Sequence, residues 1–337
     1  KELNNEVLVT FGYGDGGGGP TKDMLEQSLR LEKGIPGIPK VKVTNPLEFF
    51  NSLENKVMDN KRLPRWVGEL YLEFHRGTYT SMAKNKKNNR KSELLYQDAE
   101  WLASMSMLLG FGQYPKDILD KGWELILLNQ FHDILPGSSI KAVYDDSDKD
   151  YAEILSAGTG IVESSVNNII KNMKLESDSI VVFNQLGYDR TDIVEVDMGS
   201  LSGGFSVYNE DGSLLPVQKA AGSGSNTLVF IAGSVPSKGY KAFKFSKAES
   251  MVNTELYASM DAKNIGNEFF DIKFDQNFNI TSIYDKKNKR EVLKDRANVF
   301  QVFEDRPYAY DAWEISNYYQ DKMWEINDVS GCEVIEN

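Results

Sequence analysis

Between residues 61 and 173 the apolar side chains recur at helical spacing, whereas beyond Asp178 they alternate with polar ones between Gly, Ser and Asn turns. A helix stripe repeats every 3.6 residues and a half-buried strand every 2, so the two stretches cannot line one common layer. Separate cores are required. The length of 337 residues agrees, with room for two to three domains.

Within the helical stretch three segments stand out. Ser92 precedes an apolar series through Leu95, Ala99, Leu102, Ser106 and Leu109, which Gly110 and Gly112 end. A second helix carries Trp123, Ile126, Leu127 and Phe131. A third runs from Ser139 with Tyr144, Tyr151, Ile154, Ile161, Val166 and Ile169 on one stripe, and Gly158 and Gly160 are places for a kink. Short connections make these an antiparallel three-helix bundle over residues 61–174. The basic run 84–91 reads as a solvated face. Strands are predicted at residues 179–183, 193–197, 227–231 and 240–245, a small β-sandwich over residues 179–248. A second β region, residues 254–337, has strands at 269–274, 280–284 and 298–303 and a last one through Cys332, Glu333 and Val334.

The first 60 residues read differently. Val7-Leu8-Val9 has the pattern of a buried strand, glycines follow, and Pro20-Thr21 opens a helix through Met24, Leu25, Leu29 and Leu31. Val41-Lys42-Val43 and a helix from Pro46 repeat the β/α unit, so residues 1–60 are expected to close an α/β domain. The glycines match Gly-x-Gly-x-x-Gly at Gly12, Gly14 and Gly17, with Glu32 at the distance of a ribose contact. A phosphate-binding Walker loop is excluded, because Pro20 stands where its lysine belongs. The other reading is that the glycines clear side chains from around Asp15, the loop's sole carboxylate, so that a sugar can lie against the backbone; a plain surface turn is the third.

One of only two histidines sits at the end of the second helix. Trp123, Leu127 and Phe131 at i, i+4, i+8 mark its buried face, and Pro136 with Gly137 forces a stop near residues 132–134. Gln130, His132 and Asp133 then crowd the last turn. Imidazole and carboxylate oxygen suit a cation there, although His132 as a simple helix cap explains the same residues. The other histidine, His75, adjoins Arg76; these two can bond sugar hydroxyls or hold a catalytic carboxylate, or Arg76 can pair with Glu69 or Glu73.

Four segments in order resemble glycoside hydrolase family 38 α-mannosidases, in the branch that holds bacterial and cytosolic or vacuolar enzymes. They are Phe11-Gly12-Tyr13-Gly14-Asp15-Gly16-Gly17-Gly18-Gly19-Pro20-Thr21, Glu69-Leu70-Tyr71-Leu72-Glu73-Phe74-His75-Arg76-Gly77-Thr78-Tyr79-Thr80-Ser81, Asn129-Gln130-Phe131-His132-Asp133-Ile134-Leu135-Pro136-Gly137-Ser138-Ser139, and Phe303-Glu304-Asp305-Arg306-Pro307 with Asp311-Ala312-Trp313. The resemblance implies a multidomain α+β chain: the C-terminal part of an α/β catalytic barrel, the three-helix middle domain, then antiparallel β-sandwich domains. It implies a retaining exo-α-mannosidase that uses one zinc ion and acts on terminal α-mannose of glycans. On that likeness His132 is a zinc ligand, Asp133 contacts the sugar and Asp15 is the general acid/base; Arg76 and His75 are taken as substrate-binding residues. The other metal ligands and the nucleophile are expected upstream of Lys1, so this chain alone is expected to be an inactive central fragment.

A net charge of −12 argues against binding a phosphate backbone and leaves neutral solutes as natural ligands. The one cysteine, Cys332, cannot form an internal disulfide, and no apolar run would cross a bilayer, so a cytoplasmic location is expected. The edge of the Val7–Val9 strand would invite association into a homo-oligomer. Two other classes compete: a carbohydrate-binding module built on the β-sandwiches, and a dinucleotide-dependent oxidoreductase built on the Gly-rich loop. The second demands a parallel sheet continuing through the chain, where helices and antiparallel patterns follow instead.

Overall fold

A computed structural model describes residues 3–14, 17–72, 74–176, 178–199, 204–220, 227–247 and 263–331. The chain divides into two compact units, Lys1–Leu70 and Tyr71–Asn337.

In the first unit α1 (Lys22–Glu32) starts at Thr21, whose hydroxyl accepts from Met24 N at 3.3 Å, and α2 (Pro46–Val57) starts at Asn45, whose side chain accepts from Glu48 N at 3.0 Å. Each cap satisfies a backbone donor that the helix itself leaves open. The strands expected at Val7–Val9 and Val41–Val43 do not form. Val7 and Val9 are 82% and 74% exposed, and the described residues of this unit include no strand to share their backbone hydrogen bonds. The strand edge predicted to drive association is therefore absent. Glu32 is engaged too, since its carboxylate accepts from Val43 N at 2.7 Å, and without a preceding strand the loop is no dinucleotide fold.

The second unit begins with α3 (Ala83–Leu108), α4 (Lys116–Asn129) and α5 (Lys141–Ile170). Their shared core holds Tyr96, Ala99, Ala103, Leu119, Ile126, Tyr151, Ile154 and Ile161. Buried positions on α5 fall at Tyr144, Ser147, Tyr151, Ile154, Gly158, Ile161, Ser165 and Ile169, steps of three and four that keep one stripe inward. Tyr96 is the wedge of this core, with no exposed surface. Its ring occupies the space where a Cβ on Gly122 would be, and a Cβ on Gly158 would lie 2.8 Å from Leu95 Cδ2 and 2.9 Å from Tyr96 Cε2. Gly158 thus serves close approach rather than a kink, and α5 runs unbroken through it.

Two sequence expectations shift here. Helix α3 begins at Ala83, not near Ser92, and the basic run is its first two turns. Ser92 is buried and donates to Asn88 O at 2.8 Å, while Asn85 donates to Ser147 Oγ at 2.7 Å. Polar side chains make this end of the α3–α5 contact, which an apolar count passes over. On α4 the buried face is Leu119, Gly122, Ile126 and Asn129, whereas Leu127 and Phe131 are 61% and 51% exposed. The Gly122 gap for Tyr96 sets that face, and a glycine has no hydropathy to announce it.

Burial, with Glu93 and Asp150 nearby, pushes the Tyr151 phenol up to about 12 from its usual 10.0. The unfolded chain ionises Tyr151 first, so this stabilisation is complete below pH 10 and is lost as pH rises through 12. The hydroxyl has no protein partner among the described residues. Tyr151→Phe is therefore expected to change stability at pH 7 by less than about 1 kcal/mol. It should also flatten the fall of the thermal midpoint between pH 10 and 12, which scanning calorimetry across that range would show.

Beyond the helices come β1 (Ser179–Asn184), β2 (Arg190–Asp197), β3 (Phe205–Tyr208), β4 (Leu214–Leu215), β5 (Val217–Ala220), β6 (Thr227–Val235) and β7 (Gly239–Lys247). They form two antiparallel sheets, in orders β1-β7-β3-β4 and β2-β6-β5. Phe205 and Val207 from one sheet and Leu228, Phe230 and Ala232 from the other share one core with Phe243. Along β6 the buried residues Leu228, Phe230 and Ala232 alternate with less buried ones, as expected of a strand packed on one face, whereas Phe205, Ser206 and Val207 of β3 are all buried. A further sheet, order β11-β10-β9-β8, is built from β8 (Asn264–Gly266), β9 (Phe270–Phe274), β10 (Ile280–Asp285) and β11 (Arg290–Glu291). Last come the antiparallel pair β12 (Gln301–Phe303) and β13 (Met323–Glu325), with a 3-10 turn at Asn317–Asp321 between them. The strand predicted through Cys332 lies outside the described residues.

Candidate functional site

The second unit ties three of the motif segments together at one turn, the 3-10 turn Gly77–Tyr79. On one side Gly77 N and Thr78 N donate to Trp313 O at 2.8 and 3.3 Å. Gly77 is buried so closely against Trp313 that an added Cβ would lie 3.0 Å from that oxygen. The His75 ring meets the Trp313 ring edge-on, centroids 5.2 Å apart, and Arg76 Nη1 donates to Asn317 Oδ1. The sequence left Arg76 an ion pair with Glu69 or Glu73 as an alternative; among the described residues its hydrogen bond runs to Asn317, 241 positions away. Glu73 lies outside the described residues.

On the other side, Lys86 Nζ donates to Ser81 O at 2.5 Å, Leu135 O at 2.9 Å and Pro136 O at 3.0 Å. Three carbonyl oxygens around one ammonium hold the turn against the loop after α4. Burial pushes the Lys86 ammonium down from the usual lysine value. Gly137, at φ +91°, passes so near that a Cβ would lie 2.6 Å from Ser81 O, which is why this position takes glycine.

The loop itself carries His132 and Asp133. Helix α4 ends at Asn129, three residues before His132, and Gln130 is its C-cap, so His132 is not the cap. Gln130 is fixed from below, its amide donating to Asn89 Oδ1 and Glu93 Oε1, both at 3.0 Å. From above, Ser138 and Ser139 hydroxyls both donate to Asp133 O, and the Tyr144 hydroxyl donates to Ile134 O at 3.0 Å. With its backbone so held, the loop presents two side chains outward. His132 Nε2 lies 3.6 Å from Asp133 Oδ2, and the two side chains are 76% and 50% exposed.

Imidazole and carboxylate are suitable donors for zinc, but a zinc site takes at least three protein ligands. Among the described residues no group of three His, Cys, Asp or Glu side chains is placed to hold a metal. His132 and Asp133 are thus an incomplete donor set. Asp15 lies outside the described residues, and its Gly-rich loop belongs to the first unit. There Tyr13 N donates to Gly19 O at 3.0 Å, closing the loop on itself. Lys86 and Asn317 were not singled out from the sequence. Lys86 is one lysine in a basic run, and Asn317 follows its motif without a residue type that marks chemistry.

Models for three domains of one family match the chain in order. The family 38 glycosyl hydrolase N-terminal domain matches residues 1–69, the α-mannosidase middle domain residues 73–169, and the family 38 C-terminal domain residues 265–337. The chain belongs to glycoside hydrolase family 38. Relatives of this family 38 chain include α-mannosidase G of Dictyostelium discoideum, 31% identical over 99% of the chain and 33% of the relative. Human α-mannosidase 2C1 is 30% identical over 95% of the chain and 29% of the relative. The chain therefore spans about a third of their length. A crystal structure of an α-mannosidase from Enterococcus faecalis V583 covers 85% of the chain and 37% of its own, with a TM-score of 0.55 at 18% identity, a likeness of fold.

Proposed function

We propose that the intact protein is a zinc-dependent, retaining exo-α-mannosidase that removes terminal α-mannose from glycans or manno-oligosaccharides in the cytoplasm. The observation that supports it is the joining of three family-like segments at the Gly77–Tyr79 turn, with His132 and Asp133 held outward by a fixed backbone. In this reading residues 1–60 complete an α/β catalytic barrel.

His132 supplies one zinc ligand, and the rest come from the part of the relatives' length that this chain does not span. Bound zinc would polarise sugar hydroxyl oxygens. Asp133 accepts hydrogen bonds from sugar hydroxyls, and Arg76 and His75 position the sugar from the adjoining turn. Asp15 is the general acid/base: its carboxyl gives a proton to the glycosidic oxygen as the bond breaks, then takes one from water. Retention places its partner carboxylate about 5–5.5 Å away.

Asp15→Asn tests this reading through leaving-group dependence. A good aryl leaving group departs without a proton, whereas a sugar alcohol does not. Turnover of manno-oligosaccharides is expected to fall about 10²-fold, with a much smaller loss on activated aryl α-mannosides. Equal losses on both would remove Asp15 from the role.

A further inference from the structure

Beside the Gly77–Tyr79 turn lies an open cleft of about 620 Å³, between Arg76 on one side and β12 with the 3-10 turn Asn317–Asp321 on the other. Its volume falls in the range of small-molecule sites, about 300–1,000 Å³. The Phe303 and Tyr319 rings pack edge to face, centroids 5.1 Å apart, and both line it. Gln301, Asp305 and Asn317 line it as well, and Arg76 is tied to Asn317.

These groups define the ligand by chemistry. One cation and one carboxylate leave the lining without net charge, so neither a phosphate nor a cationic ligand gains from it. Amides, a guanidinium and a carboxylate offer donors and acceptors side by side in planar arrays, the complement of neighbouring hydroxyls. The aromatic pair offers an apolar surface among them. A neutral ring that is polar at its rim and apolar on one face matches both. We infer that this cleft, formed by Arg76, Gln301, Phe303, Asp305, Asn317 and Tyr319, binds a neutral sugar of the substrate on the leaving-group side of the scissile bond.

The inference rests on the function proposed above. An exo-acting enzyme holds one sugar at its reacting end, so any further sugar contact falls on the leaving-group side. The cleft shares Arg76, the residue before the Gly77–Tyr79 turn, with the wall that the terminal mannose would meet, and Lys86 ties Ser81, just after that turn, to the His132 loop. The rest of the glycan is thereby led past Arg76 toward Tyr319.

The test compares kcat/KM for α-linked manno-oligosaccharides and for an aryl α-mannoside in the intact protein, with Gln301→Ala and Tyr319→Ala. Gln301 is exposed, so its truncation leaves the fold in place even if Tyr319→Ala loosens the packing on Phe303. The ratio of oligosaccharide to aryl kcat/KM is expected to fall about tenfold, chiefly through KM. A ratio unchanged in both variants, whether from no loss or from equal losses, overturns the cleft as a sugar site. If the wild type turns over neither substrate, the proposed function fails, and direct binding decides the cleft. Saturation transfer from the protein to α-mannobiose that is lost in Tyr319→Ala then supports it, and equal or absent transfer in both proteins overturns it.

Discussion

Replacing His132 by alanine in the intact protein is expected to remove stoichiometric zinc and to lower mannoside turnover by about 10³-fold or more. A metal that stabilises developing charge by several kcal/mol leaves a loss of that order when it goes. The fold should survive, because the side chain is 76% exposed and the loop is held through the Asp133 and Ile134 carbonyls by Ser138, Ser139 and Tyr144. Elemental analysis with a thermal melt of the same sample separates the two effects. A folded variant that keeps its full zinc would show that His132 is not a ligand.

The second large effect concerns stability. Tyr96→Ala is expected to cost about 3–5 kcal/mol, as truncations of large buried aromatics do. Gly122→Ala drives a methyl into the Tyr96 ring and should cost about 1–3 kcal/mol or more. The two changes share one space, so the double variant should lose less than the sum of the singles, by about 0.5–3 kcal/mol. Urea unfolding of the four proteins provides the cycle. Strict additivity would mean that the ring moves aside freely and that Gly122 does not set the α4 face.

Where apolar side chains both make the contact and outnumber the rest, the sequence was readable. The α5 stripe and the core strands β1, β6 and β7 lie where their apolar periods put them. Reading failed where other groups do the packing. The start of α3 is carried by Asn85, Asn89 and Ser92, and the face of α4 by Gly122, none of which register as hydrophobic. The valines at 7–9 and 41–43 have strand residues but, among the described residues, no strand beside them, and a strand is defined by its neighbour's hydrogen bonds as much as by its own side chains. For the site, residue type alone drew attention to His132, Asp133, His75 and Arg76. Whether His132 capped the helix turned on a three-residue difference in where α4 ends, finer than Pro136 and Gly137 can fix. The Lys86 clamp depends on three carbonyls, which every residue has, so no side-chain pattern signals it.

The bond from Gly77 and Thr78 to Trp313 also bears on how this chain can be taken apart. The middle and C-terminal family models end and begin nearly a hundred residues apart, at 169 and 265, which suggests interchangeable modules. Yet the carbonyl that satisfies two amides at the entrance to the helices belongs to residue 313. A helical module excised or swapped at the sequence boundary would keep its own apolar core and lose the clasp that orders the turn before α3. The inheritable piece is then the pair, and a graft between relatives must carry residues near 77 and near 313 from the same parent.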